Sequence, residues 1–113
     1  MHLTNDNVKE FVAALVACEG TQIYIENREE YRPANLVKVE GFGTINGFPA
    51  VLIKLDHGRW WFYQYCSAFY SNYWEARKDA MKGKIRLRNK KIVGWINDDV
   101  FVEGQCKDMT WLR

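Results

Sequence analysis

Hydrophobic positions change their period three times along the chain. In "LTNDNVKEFVAALVACEG", Val8, Phe11, Val12, Leu15 and Val16 recur at intervals of three and four, the spacing of one helical face. This predicts an N-terminal helix over about 4–19. Thr4 is placed to cap it, Leu3 and Val8 to staple its entry, Asp6 to favour its positive end, and Gly20 to stop it.

From Thr21 the period shortens to two, and β-branched and aromatic residues take over. "TQIYIEN" predicts a strand and "REEYRP" a charged loop ending at Pro33. Asn46-Gly47 then joins "NLVKVEGFGTI" to "FPAVLIKL" as a two-residue hairpin, because both residues tolerate the positive φ of a type I′ turn. A second hairpin runs through Asp56, His57 and Gly58 into "RWWFYQY".

Beyond Cys66 the spacing lengthens again: Phe69, Tyr70, Tyr73, Trp74, Arg77 and Met81 predict a second helix over about 67–82, stopped at Gly83. "KIRLR", "KIVGWI" and "VFVEG" read as further strands, separated by Asn89-Lys90 and Asn97-Asp98-Asp99, with a tail that ends in Trp111. The expected fold is α+β, a single domain over 1–113, with antiparallel sheet meanders, the helix at about 4–19 and the second at about 67–82. At 113 residues a second core would leave each half too small to bury enough surface.

Composition adds one constraint. Hydrophobic residues at 48% and charged ones at 27% describe a folded chain, but 15% aromatics exceed what a core of this size must hide. Nine of the seventeen aromatics lie in "RWWFYQYCSAFYSNYW". Consecutive Trp60 and Trp61 point to opposite faces of a strand, so either Trp60 and Phe62, or Trp61, Tyr63 and Tyr65, form the core set. The other set needs cover from the protein itself, with a homodimer or a different partner chain as the alternative.

Candidate chemistry is sparse. Cys18, Cys66 and Cys106 are widely spaced and read as small core residues of a reducing compartment, without disulfides. No leader pattern and no run of eighteen apolar residues occurs, so the expectation is a cytoplasmic protein without a membrane role. Two histidines and two serines supply little for catalysis. His57 sits in the turn "DHG", where a solvated loop histidine is the plain reading, and His2 lies at the terminus.

A Cys66–His57 pair would need an orienting third group and an electropositive pocket, and neither is legible. Paired zinc ligands of the C-x-x-C kind do not occur, and "GFGTING" precedes a strand, so its glycines serve hairpin geometry and cradle no phosphate. Glu29-Glu30 and Asp98-Asp99 read as solvated acids. The expectation is a protein that is not an enzyme and has no catalytic, metal or cofactor site.

Charge is the one feature that points to a partner. The formal net charge is only +2, yet residues 1–58 hold eight acids and five bases while residues 77–91 hold eight bases and one acid, Asp79. With a turn at Asn89-Lys90, alternation collects Lys84, Arg86, Arg88, Lys91, Val93 and Trp95 on one side of a hairpin, and Ile85, Leu87, Ile92, Gly94 and Ile96 on the other. The second side is core. The first is either a solvated face guarding against edge pairing, or a basic row leading to an indole.

The candidate binding residues are therefore Lys84, Arg86, Arg88, Lys90, Lys91 and Trp95. They fit a protein partner with an acidic or nucleic-acid-binding surface, or nucleic acid directly. The sequence alone supports a small non-catalytic binding protein, monomer or homodimer, that inhibits or regulates such a partner; the alternative is a nucleic-acid-binding domain using the hairpin 84–95. Mobile elements encode small inhibitors and adaptors of this kind, an analogy that adds no residue to the site.

Overall fold

The structure, a computed structural model, describes residues 1–27, 30–63, 67–82 and 106–112. Its elements in chain order are α1 (Val8–Ala17), β1 (Gln22–Asn27), β2 (Glu30–Ile45), β3 (Phe48–Leu55), β4 (Gly58–Phe62), β5 (Ala68–Tyr70), α2 (Tyr73–Met81) and β6 (Lys107–Trp111). The six described strands form one antiparallel sheet in the order β4-β3-β2-β1-β5, with β6 also paired to β2. The fold is α+β. The strands read from "KIRLR", "KIVGWI" and "VFVEG" lie outside the described residues.

Both hairpins read from the turns are present. Asn46 and Gly47 have φ of 52° and 80°, and Ile45 faces Phe48 across them, as a two-residue primed turn requires. Leu55 faces Gly58 across Asp56 and His57. The first helix differs at its ends: Asn7, not Thr4, holds the N-cap position, and the helix stops at Ala17. The reason lies upstream. Leu3 N–H donates to Ser67 O and Phe69 N–H to Met1 O, so residues 1–3 lie along β5 with Leu3 fully buried, and the chain turns helical only after leaving the sheet. Asn7 fastens that entry, its Oδ1 accepting from Thr4 N–H at 2.8 Å and its Nδ2 donating to His2 O at 2.6 Å.

Two further expectations are corrected. Glu30–Pro33, read as loop, belongs to β2, whose backbone pairs with β1 over Gln22–Asn27. The second helix begins at Tyr73, because Ala68–Tyr70 form β5. There Phe69 and Tyr70 point to opposite faces: Phe69 enters the α1 core while Tyr70 packs with Ala68 and Ala76. Two adjacent aromatics required on opposite sides suit a strand and not a helix. The tail contributes β6, paired with β2 at Gly41, Phe42 and Thr44.

Each face of the sheet has its own cover. On one, Phe11, Val12 and Leu15 of α1 meet Ile23 and Ile25 of β1, Val51, Ile53 and Leu55 of β3, and Trp60 and Phe62 of β4. Phe11 stands edge-on to both Phe62 and Phe69, with centroids 5.2 and 5.1 Å apart. Val16 continues the sequence stripe but remains exposed. On the opposite face, Trp61 is buried with Ile45, Ala50, Leu52 and Cys106, flanked by Met109, while α2 covers the β1–β5 end.

Strand β2 serves both halves because it bends. Irregular register at Leu36/Lys38 and at Val39/Gly41 places an extra residue, Val37 and then Glu40, in the strand. Leu36, Val39 and Phe42, three apart in sequence, thereby all face α1. Glu19 at the end of the helix accepts the Val39 N–H at 2.8 Å, and Glu40 meets Arg59 Nε at 3.1 Å, so the two irregular sites are tied from opposite sides.

Close approach to β6 depends on glycine. A Cβ on Gly43 would meet Lys107 O at 2.5 Å and Met109 Sδ at 2.9 Å. Gly43→Ala is therefore expected to lower the free energy of unfolding by about 1–3 kcal/mol, as overpacking does. In urea denaturation with hydrogen exchange, amides 107–111 should lose protection before those of β3; unchanged stability and exchange would contradict this role for Gly43.

Candidate functional site

The residues singled out for binding, Lys84, Arg86, Arg88, Lys90, Lys91 and Trp95, lie outside the described residues, as do Cys66, Glu29, Asp98 and Asp99. His57 is in the β3–β4 turn, half exposed, where its Nδ1 meets Asp56 Oδ1 and Asn35 Nδ2 donates to Asp56 Oδ2 at 2.9 Å. The histidine, then the asparagine, hold the Asp56 carboxyl below its ordinary range. This is turn chemistry on an open surface.

Cys18 and Cys106 carry free thiols, and burial pushes both above the ordinary range, away from the thiolate that nucleophilic work requires. Among the described residues no group of three His, Cys, Asp or Glu side chains is placed to hold a metal ion.

What the structure brings together lies on α2. The helix starts where Asn72 Oδ1 accepts the Glu75 N–H at 2.9 Å, and Ala76 is its fully buried residue. Every long side chain from Trp74 to Lys82 except Asp79 remains exposed. Trp74 is 74% exposed and Met81 78%. Arg77, Lys78 and Lys82 stand with them, and the five residues line an open groove of about 580 Å³. At 1.5 Å rise per residue, Trp74 and Met81 are about 10 Å apart along the axis, two turns apart on one face.

A ring cluster extends this face onto the sheet. Tyr24 of β1, Tyr31 of β2 and Tyr73 of α2 form a triangle, with centroids 6.2, 5.9 and 6.2 Å apart and rings tilted edge to face. Tyr73 meets Trp74 at 5.3 Å, and Arg77 Nη1 donates to Tyr73 Oη at 3.5 Å. Tyr31 is pushed above the ordinary phenol range, first by burial and then by its bond with Tyr73.

The inner side of α2 is different in kind. Pairing of Glu26 with Ala68 and of Tyr24 with Tyr70 puts all four residues on the α2 side of the sheet. Tyr70 Oη donates to Asp79 Oδ2 at 2.7 Å, tying helix to strand, and burial followed by that bond raises the phenol well above its ordinary range. Glu26 is only 3% exposed, with His2 Nδ1 at 3.7 Å from Oε2. Burial pushes its carboxyl up to about 7, opposed by the Met1 amino group and reinforced by Asp79.

Sequence reading identified the basic bias of this region, with Arg77, Lys78 and Lys82 in it, and expected exposed aromatics. It missed the tyrosine triangle, whose members are 42 residues apart between Tyr31 and Tyr73, and it missed Glu26. No local signal marked Glu26, since alternation in "QIYIEN" groups it with Gln22 and Tyr24 and not with Ile23 and Ile25.

Because α2 has one fully buried residue, its cap carries an unusual share of its stability. Asn72→Ala is expected to weaken the helix by about 1 kcal/mol, read as loss of amide protection confined to 75–82 while β1 to β4 keep theirs. Equal protection in both proteins would show that packing alone holds the helix.

No family model, no curated protein and no solved structure matches the chain.

Proposed function

We propose that the protein is a small non-catalytic binding module that inhibits or regulates a partner protein by presenting the aromatic and basic face of α2. One observation carries the reading: two large apolar side chains, Trp74 and Met81, project two turns apart from one helix face while Arg77, Lys78 and Lys82 surround them. Leaving both in water forgoes about 1.5–3 kcal/mol for each side chain that burial against a partner would recover. Tyr, Trp and Arg are also the residue types in which binding energy concentrates at protein interfaces.

The rim selects an acidic partner. Three cations within two turns favour carboxylates around the groove they enter, and they speed encounter with such a surface. A helix face anchored at positions i and i+7 fits an apolar groove on a protein. Met81 favours an apolar protein groove over nucleic acid for this face, since a thioether has no planar ring on which a base can stack. The bases Lys84, Arg86, Arg88, Lys90 and Lys91 continue the positive run in sequence directly after Lys82, and they extend the same preference for anions. A nucleic-acid-handling protein fits as the partner through an acidic surface, since the site where it holds phosphates is itself basic and would repel these cations.

Capture with immobilised parent protein, followed by purification of the captured protein and titration by fluorescence anisotropy, tests the reading. Trp74→Ala should weaken binding about thirtyfold or more, the effect of losing a 2 kcal/mol anchor. Arg77→Glu with Lys78→Glu should slow association and reduce its salt dependence. Parallel titration with a single-stranded oligonucleotide and a duplex of mixed sequence provides the decisive contrast. Tight binding to either, falling steeply with salt and insensitive to Trp74→Ala, would replace this reading with direct nucleic-acid binding through the 84–95 bases.

A further inference from the structure

Tyrosine, glutamate, histidine and aspartate meet beneath α2 in a place the binding face does not use. Glu26 is the buried charged residue of the described core, and its Oε2 accepts no hydrogen bond there. The groups around it come from every neighbouring element: the Met1 amino group and His2 from the N-terminal segment, Tyr70 from β5, Tyr31 opposite it on β2, and Asp79 from α2, with Glu75 of the same helix acting on the Met1 amino group and Tyr70. Two of these are acids carried by the helix itself. The helix is held by Ala76, by the tyrosine triangle and by the Tyr70–Asp79 bond, a short set of attachments for nine residues.

An ionised Glu26 under this helix would face Asp79 with its buried Oε2 accepting no hydrogen bond, and the Met1 amino group offsets the burial only in part. Relief requires either a proton or solvent, and solvent enters by lifting α2. A short helix with one fully buried residue can open while the core around α1 stays closed. We infer that protonation of Glu26 latches α2 onto the sheet, so that the aromatic and basic face is held when this carboxyl is neutral and loosened when it is ionised. The link to partner binding rests on the function proposed for that face; the latch itself does not.

The direction follows from linkage. Burial raises the Glu26 carboxyl from 4.5 to about 7, so the folded, closed form binds this proton more tightly than the open form. Its stabilising contribution is complete below about 4.5 and is lost as pH rises through about 7. A protonated His2 opposes the loss, because its imidazolium faces Glu26 Oε2 at 3.7 Å.

Hydrogen exchange of the free protein, expressed as protection factors from about pH 5.5 to about pH 8, reads the latch with no partner present. Amides of α2 should lose protection on the order of tenfold across that interval while β3 amides change little. Glu26→Gln, of the same shape and neutral throughout, should hold α2 protection constant. Asp79→Asn, which keeps an acceptor for Tyr70 and removes a charge, should move the transition to lower pH. Protection of α2 that is independent of pH in the parent, or a pH response that survives in Glu26→Gln, would overturn the inference. A partner that binds equally at both pH values while α2 protection falls would separate the latch from the binding face.

Discussion

Three consecutive aromatic residues that must all leave water dictate the layout of this protein. Trp60, Trp61 and Phe62 follow one another along β4, each 4% exposed or less. Strand geometry sends Trp60 and Phe62 to one face and Trp61 to the other, so the sheet has no side that can be left to solvent. Register extends the demand inward: Val51 and Ile53 of β3 face Phe62 and Trp60, while Leu52 faces Trp61. A chain of this length has few elements with which to meet it. The long amphipathic α1 takes the face carrying more aromatic surface, and the opposite face is divided between the C-terminal segment at the β3–β4 end and α2 at the β1–β5 end.

That division explains why β2 is sixteen residues long and irregular. Its first part pairs with β1 and its second with β3, and β6 takes up the edge of the second part that β1 leaves. A straight strand would turn Val39 and Phe42 alternately to the two faces. The irregularities at Val37 and Glu40 restore both to the α1 core, and they leave backbone and charge that Glu19 and Arg59 satisfy. The bend of β2 and the covering of both faces are thus one solution to the same packing demand.

Those features were legible in sequence to the extent that they were local. Asn46-Gly47 dictates its turn through backbone conformation alone, Asp56-His57-Gly58 through turn chemistry with Gly58 at positive φ, and the spacing of Phe11, Val12 and Leu15 dictates a helix face. Ser67–Tyr70 misled because Phe69, Tyr73 and Arg77 do recur at helical spacing; the competing requirement, that Phe69 and Tyr70 go to opposite faces, exists only once β1 is beside them. The same holds for the loop read at Glu30–Pro33, where Pro33 lies opposite Tyr24 in a strand pair. Of the candidate site, the charge bias and the exposure of aromatics could be read. The tyrosine triangle and the carboxyl beneath α2 could not, because both depend on tertiary pairing across β1, β2 and β5 that no local pattern encodes.

The economy of α2 connects the two halves of the functional picture. A helix that contributed a broad apolar stripe to the core would be firmly seated, but its outward residues would then be mainly the solvating complement of that stripe. Here Ala76 approaches the sheet closely enough for a nine-residue helix to close over Ala68 and Tyr70 with little side-chain bulk. Trp74 and Met81 are therefore surplus to the core and face outward with Arg77, Lys78 and Lys82. The same small contact leaves polar groups to complete the seating on the inner side, where Tyr70 bonds Asp79 and Glu26 lies without a donor to its Oε2. Exposed anchors and a sensitive attachment are consequences of one choice: covering this end of the sheet with alanines.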